Sequence, residues 1–429
     1  MNIHVELLAI GAGPSNLALA VAIEELDQDG LAADSLLLEQ HESVTWQRGM
    51  LIPWTQSQVS FLKDLVTLRN PRSKFSFVNY LHDVGRLDDF INLGAFTPYR
   101  AEISSYLRWV AQTLTKVRVS FGCRCEHIEP TRDAAGNVSG WLVRLADNST
   151  ITCRYLVLGG GRDAHVPAVF NGLPHERLIH STDFSDRVAE LDPARPHRVI
   201  VIGGAQSAAE MLWTVHQQLP LARCTMVMRS IGLSAYQSSK FTNELYNTSF
   251  IDTFFAALPD ARRQLLAEMH NTNYSGLNPS LLDSLYRQLY LDRLTGTGRM
   301  RFVTMADVTE AHVADGEVVL AITDRRTGLS EDLRGDVVML GTGFEVGMPL
   351  AIRKLAAALG LEQVTVNRAY RLILPSTAVG ACYLQGVNEA THGIADSLLS
   401  VLAARAGDIA TDIIADRAAA HIADTRHVT

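Results

Sequence analysis

Cysteine is scarce: five residues in 429, an odd number with no CxxC pair. That excludes a disulfide-stapled scaffold and disulfide-reductase chemistry, and it fits reduced thiols in the cytoplasm. Cys123 and Cys125 stand one residue apart without a second close pair, so they read as a strand edge and no metal site is expected. Long apolar runs are also missing. None reaches the ~18 residues of a membrane-spanning helix, and Val5-Glu6-Leu7-Leu8-Ala9-Ile10 reads as a first strand without the basic flank of an export signal. Nor is there a basic excess, because 38 Lys and Arg face 46 Asp and Glu, a formal charge of −8. Neither nucleic acid nor an anionic membrane is an expected partner. What remains is an ordinary globular composition, 47% hydrophobic and 20% charged, long enough for two or three domains.

The first strand runs into Gly11-Ala12-Gly13-Pro14-Ser15-Asn16 and then an Ala- and Leu-rich helix former. Small residues let the backbone approach a pyrophosphate, and the helix N-terminus offers free N–H groups and the positive end of its dipole. Asn16 stands where a third glycine is usual. The next apolar run, Ser35-Leu36-Leu37-Leu38, ends in Glu39, placed to accept from an adenosine ribose hydroxyl.

A second strand–turn–helix follows at Val199-Ile200-Val201-Ile202, then Gly203-Gly204-Ala205-Gln206-Ser207. The strand after it, from Cys224 to Met228, ends in Arg229, whose guanidinium suits a 2′-phosphate and so favours NADPH over NADH. A third strand, Asp336 to Leu340, enters another glycine turn. Tyr383-Leu384-Gln385-Gly386 and His392 to Asp396 then lead to a C-terminal helix expected to complete the first domain. Arg405, Asp408, Asp412 and Asp416 mark the polar side of that helix.

Several segments, in order, are similar to one family: Gly11 to Asn16, Gln58 to Pro71 (with Lys63), Gly203 to Glu210, Asn243-Glu244, His270 to Ser275, and Asp336 to Pro349. They resemble the flavin-dependent N-hydroxylating monooxygenases, the ornithine and lysine N-hydroxylases of siderophore biosynthesis. The likeness covers nearly the whole chain and lies nearer the ornithine branch. It implies FAD and NADPH as cofactors, O2 as co-substrate, and L-ornithine as the substrate, hydroxylated to N5-hydroxyornithine through a C4a-hydroperoxyflavin for siderophore or hydroxamate biosynthesis. It also implies a homo-oligomer, dimer or tetramer.

The resemblance supplies residue roles. Lys63 would pair with the substrate carboxylate, and Asn243, Glu244, Asn273 and Ser400 would line the amino acid. Gly11, Gly13, Pro14, Asn16, Glu39, Gln40, Trp46, Gln47, Gln58, Ser397, Leu398 and Leu399 would hold FAD. Gly203, Gly204, Ala205, Gln206, Ser207, Arg229, Asn273, Tyr274 and Ser275 would hold NADPH. Ser57, Gln47, Ala205 and Phe344 replace the family's usual Met, His, Gly and Tyr.

The expected fold is α/β, two nested Rossmann-like domains with a small helical substrate-binding insertion. The flavin domain is expected over 1–165 and 335–429, the NADPH domain over 166–240 and 296–334, and the insertion over 241–295. Pro167, Pro174, Pro193 and Pro196 mark the connections. The same chemistry on L-lysine or a diamine, or an NADPH oxidase or reductase without an organic substrate, stays open at this point.

Overall fold

The computed structural model describes residues 2–274, 276–375 and 377–427. The strand Asn2–Ile10 lies between two parallel neighbours, Ser35–Leu38 and Thr150–Leu158. Val5, Leu7, Leu8 and Ala9 are fully buried, because a strand covered on both faces needs apolar residues in succession. Arg118–Ser120 extends this sheet at one edge, and the antiparallel strands Val138–Leu145 and Cys125–Arg132 extend it at the other. Thr150–Leu158 serves two partners. Its first half pairs with Val138–Leu145, and its second half pairs in parallel with Ala381–Leu384.

Helix Pro14–Leu26 starts with proline in its first turn, where no N–H is needed. Leu17, Ala18 and Val21 on this helix share one core with Leu402, Ala406, Ile409 and Ile413 of the long helix Leu402–His427.

The second sheet is parallel, in the order Met300–Val303, Arg223–Val227, Arg198–Ile202, Val337–Leu340, Leu178–His180. A three-stranded antiparallel sheet, Ala306–Ala314, Glu317–Asp324 and Ser330–Gly335, packs Val318, Leu320 and Ile322 against Ile200, Val227 and Val338. Here the structure departs from the expected boundary at 335. Val337–Leu340, buried throughout, is an interior strand of the second sheet, and the chain re-enters the first sheet only at Ala381–Leu384. The two crossings run side by side: His165 N–H donates to Gly343 O at 3.0 Å and Glu345 N–H to Asp163 O at 2.8 Å.

The stretch expected as one insertion also divides. Helix Pro279–Thr295 places Leu281 and Leu285 in the core of the second sheet, whereas Ile251 of helix Phe250–Ala256 is buried with Ala395 and Val401 of the first domain. Among the described residues no helix is long and apolar enough to cross a membrane, and no His, Cys, Asp or Glu cluster could hold a metal. All five cysteines are free thiols.

Candidate active site

Gly11 adopts φ +90°, and a Cβ there would stand 3.1 Å from Gly159 O. A side chain is excluded on both counts. Gly13 caps helix Pro14–Leu26 with no side-chain acceptor and no acid in the first turn, and the space beside it is open. Unsatisfied N–H groups and an uncompensated dipole end are what an anionic pyrophosphate requires, so these residues fit a dinucleotide. Glu39 is half-buried beside the turn, its carboxylate accepting from Ala12 N–H at 3.0 Å and His41 N–H at 3.1 Å.

Asn16 does something other than touch a ligand with its side chain. It is fully buried, its amide donates to Ile10 O and Gly11 O at 2.8 Å each, and it accepts from Gln385 Nε2 at 2.7 Å. Behind it, Arg405 donates to Gln385 Oε1 at 3.2 Å, Asp396 Oδ1 at 3.0 Å and Ser15 Oγ at 2.8 Å. Arg405 is therefore no solvated residue on an amphipathic helix. It is fully buried and braces the first glycine turn through a satisfied polar network.

Of the other expected flavin residues, Trp46 is half-buried against the first core, its backbone N–H donating to Ser104 Oγ at 3.1 Å. Gln47 is exposed at φ +49°, and Gln40 and Gln58 are also exposed. Ser57 is buried, its hydroxyl in a local turn with Val59. Leu398 is half-buried. Leu399 lines a small cavity with Lys63, Phe61, Phe77 and Tyr106.

Lys63 Nζ stands 3.5 Å from Ser400 Oγ, 337 residues away in sequence. Burial holds the ammonium below the usual lysine range. The next residue shapes the loop. Asp64 accepts from Val66 N–H at 3.0 Å, Thr67 N–H at 2.6 Å, Thr67 Oγ1 at 2.8 Å and Phe77 N–H at 2.8 Å, and burial raises its pKa against those donors.

The second turn repeats the logic of the first. Gly203 lies at φ +134°, and a Cβ would stand 2.5 Å from Gly341 O. A Cβ on Gly204 would stand 3.1 Å from Ser230 Oγ. Helix Gln206–Gln218 starts at an uncapped Ala205 with no acid in its first turn, which fits a second anion, and Ser207 is half-buried there. Arg229 is exposed just beyond the strand Arg223–Val227. Gln206, expected to face the nucleotide, uses its amide on the protein: it accepts from Asn278 N–H and donates to Glu210 Oε1, both at 2.7 Å. Glu210 is held by Arg100 of helix Arg100–Thr113 in two hydrogen bonds, 2.7 and 2.8 Å, and Arg100 also donates to Met50 O at 3.2 Å. This buried ion pair rivets the flavin domain to the helix of the second turn.

Asn243 and Glu244 end the short helix Lys240–Glu244, both exposed, with Asn243 Oδ1 accepting from Ser238 Oγ at 3.4 Å. Lys63 and Ser400 touch; these two instead project from a separate element. Asn273 is the half-buried last residue of helix Pro259–Asn273. Tyr274 donates to Glu389 Oε2 at 2.9 Å, and Arg162 donates to the same oxygen at 3.1 Å. Burial, then the Glu389 carboxylate, raises the Tyr274 phenol, while the Ser397 hydroxyl beside it acts the other way. Ser275 lies outside the described residues.

Sequence reasoning gave no role to Arg100, Arg162 or Glu389, and placed Arg405 only on the polar side of its helix. Glu210, Gln385 and Asp396 stood in the quoted motifs, and an acid or amide within an otherwise apolar segment was the available signal that each had a buried partner.

A mixed sheet with a parallel core and a second, all-parallel sheet, each opening a helix at an anion-ready glycine turn, define a two-dinucleotide flavoprotein oxidoreductase. The family described as L-lysine 6-monooxygenase/L-ornithine 5-monooxygenase matches residues 3–346, and the chain belongs to it. The chain is 37% identical over 431 residues to the L-ornithine N(5)-oxygenase of Arthrobotrys oligospora, covering 95% of this chain and 88% of that protein. Its fold matches the ornithine hydroxylase of Pseudomonas aeruginosa with a TM-score of 0.90 and 36% identity, covering 96% of this chain and 100% of that one. It matches the Kutzneria sp. 744 ornithine N-hydroxylase, a complex with reduced FAD, NADP+ and L-ornithine, with a TM-score of 0.89 and 33% identity, again over 96% and 100%.

Proposed function

We propose that this protein is an FAD- and NADPH-dependent monooxygenase that hydroxylates the side-chain amine of L-ornithine, giving N5-hydroxyornithine for siderophore or other hydroxamate biosynthesis. The contact between Lys63 and Ser400 carries the reading: a partly desolvated ammonium and a buried hydroxyl meet at the rim of the flavin domain, ready for a carboxylate. The first glycine turn and Glu39 would hold FAD, and the second turn with Ser207 and Arg229 would hold NADPH. Held there, FAD would supply the dioxygen activation and NADPH the two electrons needed to put one oxygen atom on the amine nitrogen and reduce the other to water.

The chain's own part is positioning. Lys63 fixes the α-carboxylate and so sets how far the side chain reaches, while Ser400 Oγ orients the ammonium. A primary alkyl amine has a pKa near ~10.4, so its reactive neutral form is scarce at neutral pH. Phe61, Phe77 and Leu399 lie beside Lys63 at the carboxylate end, and a similarly dry setting around the side-chain amine would favour its uncharged form. The amides of Asn243 and Asn273 can bind the amino acid without the negative charge that would retain the proton. A length difference of one methylene is worth about 1–3 kcal/mol, which sets the expected preference for ornithine over lysine. The assembly is proposed to be a homo-oligomer working in the reducing cytoplasm, where five free thiols survive.

The test is product analysis. Purified holoenzyme is given NADPH and, separately, ornithine, lysine or putrescine, and hydroxylated amine is measured against hydrogen peroxide. Ornithine should give mostly hydroxylated product. Peroxide alone with every amine, or equal turnover of putrescine, would overturn the assignment.

A further inference from the structure

We infer that Arg325, in the turn between strands Glu317–Asp324 and Ser330–Gly335, is a specificity-determining residue that joins Arg229 in holding the 2′-phosphate of NADPH; the inference rests on the NADPH assignment proposed above. The three-stranded antiparallel sheet supplies Val318, Leu320 and Ile322 to packing, but its turn also reaches the cofactor corner. That corner is fixed by the second glycine turn. A Cβ on Gly204 would stand 3.3 Å from Met228 Cβ and 3.1 Å from Ser230 Oγ, so Arg229, between those two residues in sequence, emerges beside the turn. Three backbone hydrogen bonds then lead outwards. Ala306 N–H donates to Met228 O at 3.1 Å, Met305 N–H to Ser230 O at 2.9 Å, and Arg325 N–H to Met305 O at 2.7 Å. Met305 lies at φ +53°, a conformation that a non-glycine residue keeps only when its surroundings hold it. At the end of this series Arg325 Nη1 stands 3.5 Å from the carbonyl oxygen of Arg229.

The charges at this corner favour an anion. Arg229 is exposed and pairs with no carboxylate among the described residues. Two acids lie near, and each is already engaged. Asp324 accepts from Arg326 Nε at 3.1 Å and Nη2 at 2.6 Å, and Asp307 accepts from Arg325 Nε at 2.7 Å. The bond to Asp307 uses one of the five N–H groups of Arg325 and orients its plane, which leaves the Nη edge toward Arg229. A phosphate presents three acceptor oxygens, of which one guanidinium takes two in a bidentate pair, so a second guanidinium completes the set. NADH has only a ribose hydroxyl there and offers no charge to either cation. Arg325 thus acts on the choice between the two nucleotides.

Calorimetric titration of the FAD-loaded, oxidised enzyme with 2′,5′-ADP and with 5′-ADP, which differ only in the 2′-phosphate, tests this without turnover. The wild-type protein should bind 2′,5′-ADP the more tightly. Arg325→Met should weaken 2′,5′-ADP about tenfold and leave 5′-ADP unchanged; Arg325→Lys should recover part of the loss and Arg325→Glu should exceed it. In steady state the KM for NADPH should rise by the same factor while that for NADH stays the same. A ratio of the two dissociation constants in Arg325→Met within about twofold of wild type, or an equal weakening of both nucleotides, would overturn the role of Arg325. Arg229→Met separates that failure from a broader one. A ratio that falls with Arg229→Met and not with Arg325→Met refutes only the second cation, whereas a wild-type protein that binds both nucleotides equally refutes the NADPH assignment itself.

Discussion

Replacing Lys63 with Met keeps the unbranched apolar stem, ending one atom short of the nitrogen, and removes the charge. The ammonium is half-buried, its pKa is lowered by burial, and its nearest polar partner is the neutral Ser400 hydroxyl. An arriving carboxylate would thus find a cation already stripped of part of its water. Truncating one member of a desolvated, hydrogen-bonded charge pair costs about 2–5 kcal/mol. Partial exposure places this pair at the lower end, about 2 kcal/mol, which converts to roughly a 30-fold rise in KM for ornithine. NADPH oxidation in the absence of amine should be unchanged, since Lys63 belongs to neither glycine turn. Putrescine lacks the carboxylate, so its weak turnover should be the same in both proteins. Steady-state hydroxylation with both amines gives the four values required. The pH profile adds an independent check. Carboxylate binding needs protonated Lys63, so affinity for ornithine should fall as pH rises through a pKa below the usual lysine value, and Lys63→Met should abolish that fall. An ornithine KM within threefold of wild type, or an equal loss with putrescine, would refute the carboxylate role.

Two further outcomes follow from buried groups elsewhere. Arg100→Met strands the Glu210 carboxylate, whose remaining side-chain partner is Gln206; stability in denaturant titration should fall by about 3–5 kcal/mol and KM for NADPH should rise. Adding Glu210→Leu should recover most of the stability, and a loss below about 1 kcal/mol for the single change would contradict the rivet. His392 is 2% exposed, stacked 3.9 Å from the Tyr370 ring, and burial pulls its pKa down to about 4. Because the folded state holds it neutral, the unfolded chain binds more protons between pH 6.5 and 4. Its contribution is present above 6.5 and lost as pH falls, about 3 kcal/mol in all. Denaturant titrations from pH 7 to 4 should show that slope and His392→Phe should flatten it; an identical slope in the variant would refute the assignment.

Legibility in the sequence follows how local each feature is. The two glycine turns and Glu39 were readable because strand, turn and helix are contiguous, although the backbone atoms that crowd Gly11 and Gly203, Gly159 O and Gly341 O, come from distant segments. The contact between Lys63 and Ser400 was reachable only through family resemblance, since nothing in either segment reveals that 337 residues of chain bring them together. The boundary at 335 failed for a different reason. A four-residue apolar strand before a glycine turn looks the same in either sheet, and only hydrogen bonding to Arg198–Ile202 and Leu178–His180 assigns Val337–Leu340 to the second.

The C-terminal helix shows the physical limit of periodicity. Arg405, Asp408, Asp412 and Asp416 were read as the polar side of an amphipathic helix, but periodicity identifies a polar stripe without saying what meets it. Here the stripe meets the protein. Tyr383 donates to Asp412 at 2.6 Å, and Asp416 accepts from Tyr155 and Arg154 at 2.9 Å and from Arg371 at 2.8 Å. The partners lie on or beside strands of the first sheet, so polar residues on that sheet were the missing half of the signal. A buried tyrosine in a strand such as Ala381–Leu384 must place its hydroxyl somewhere, and an aspartate on the covering helix satisfies it at less desolvation cost than an unpaired group. Arg405 extends the same seam to Asn16 and Ser15. The helix that closes the flavin domain therefore also sets the geometry of the turn where the flavin would bind, a coupling carried by polar partners rather than by apolar packing alone.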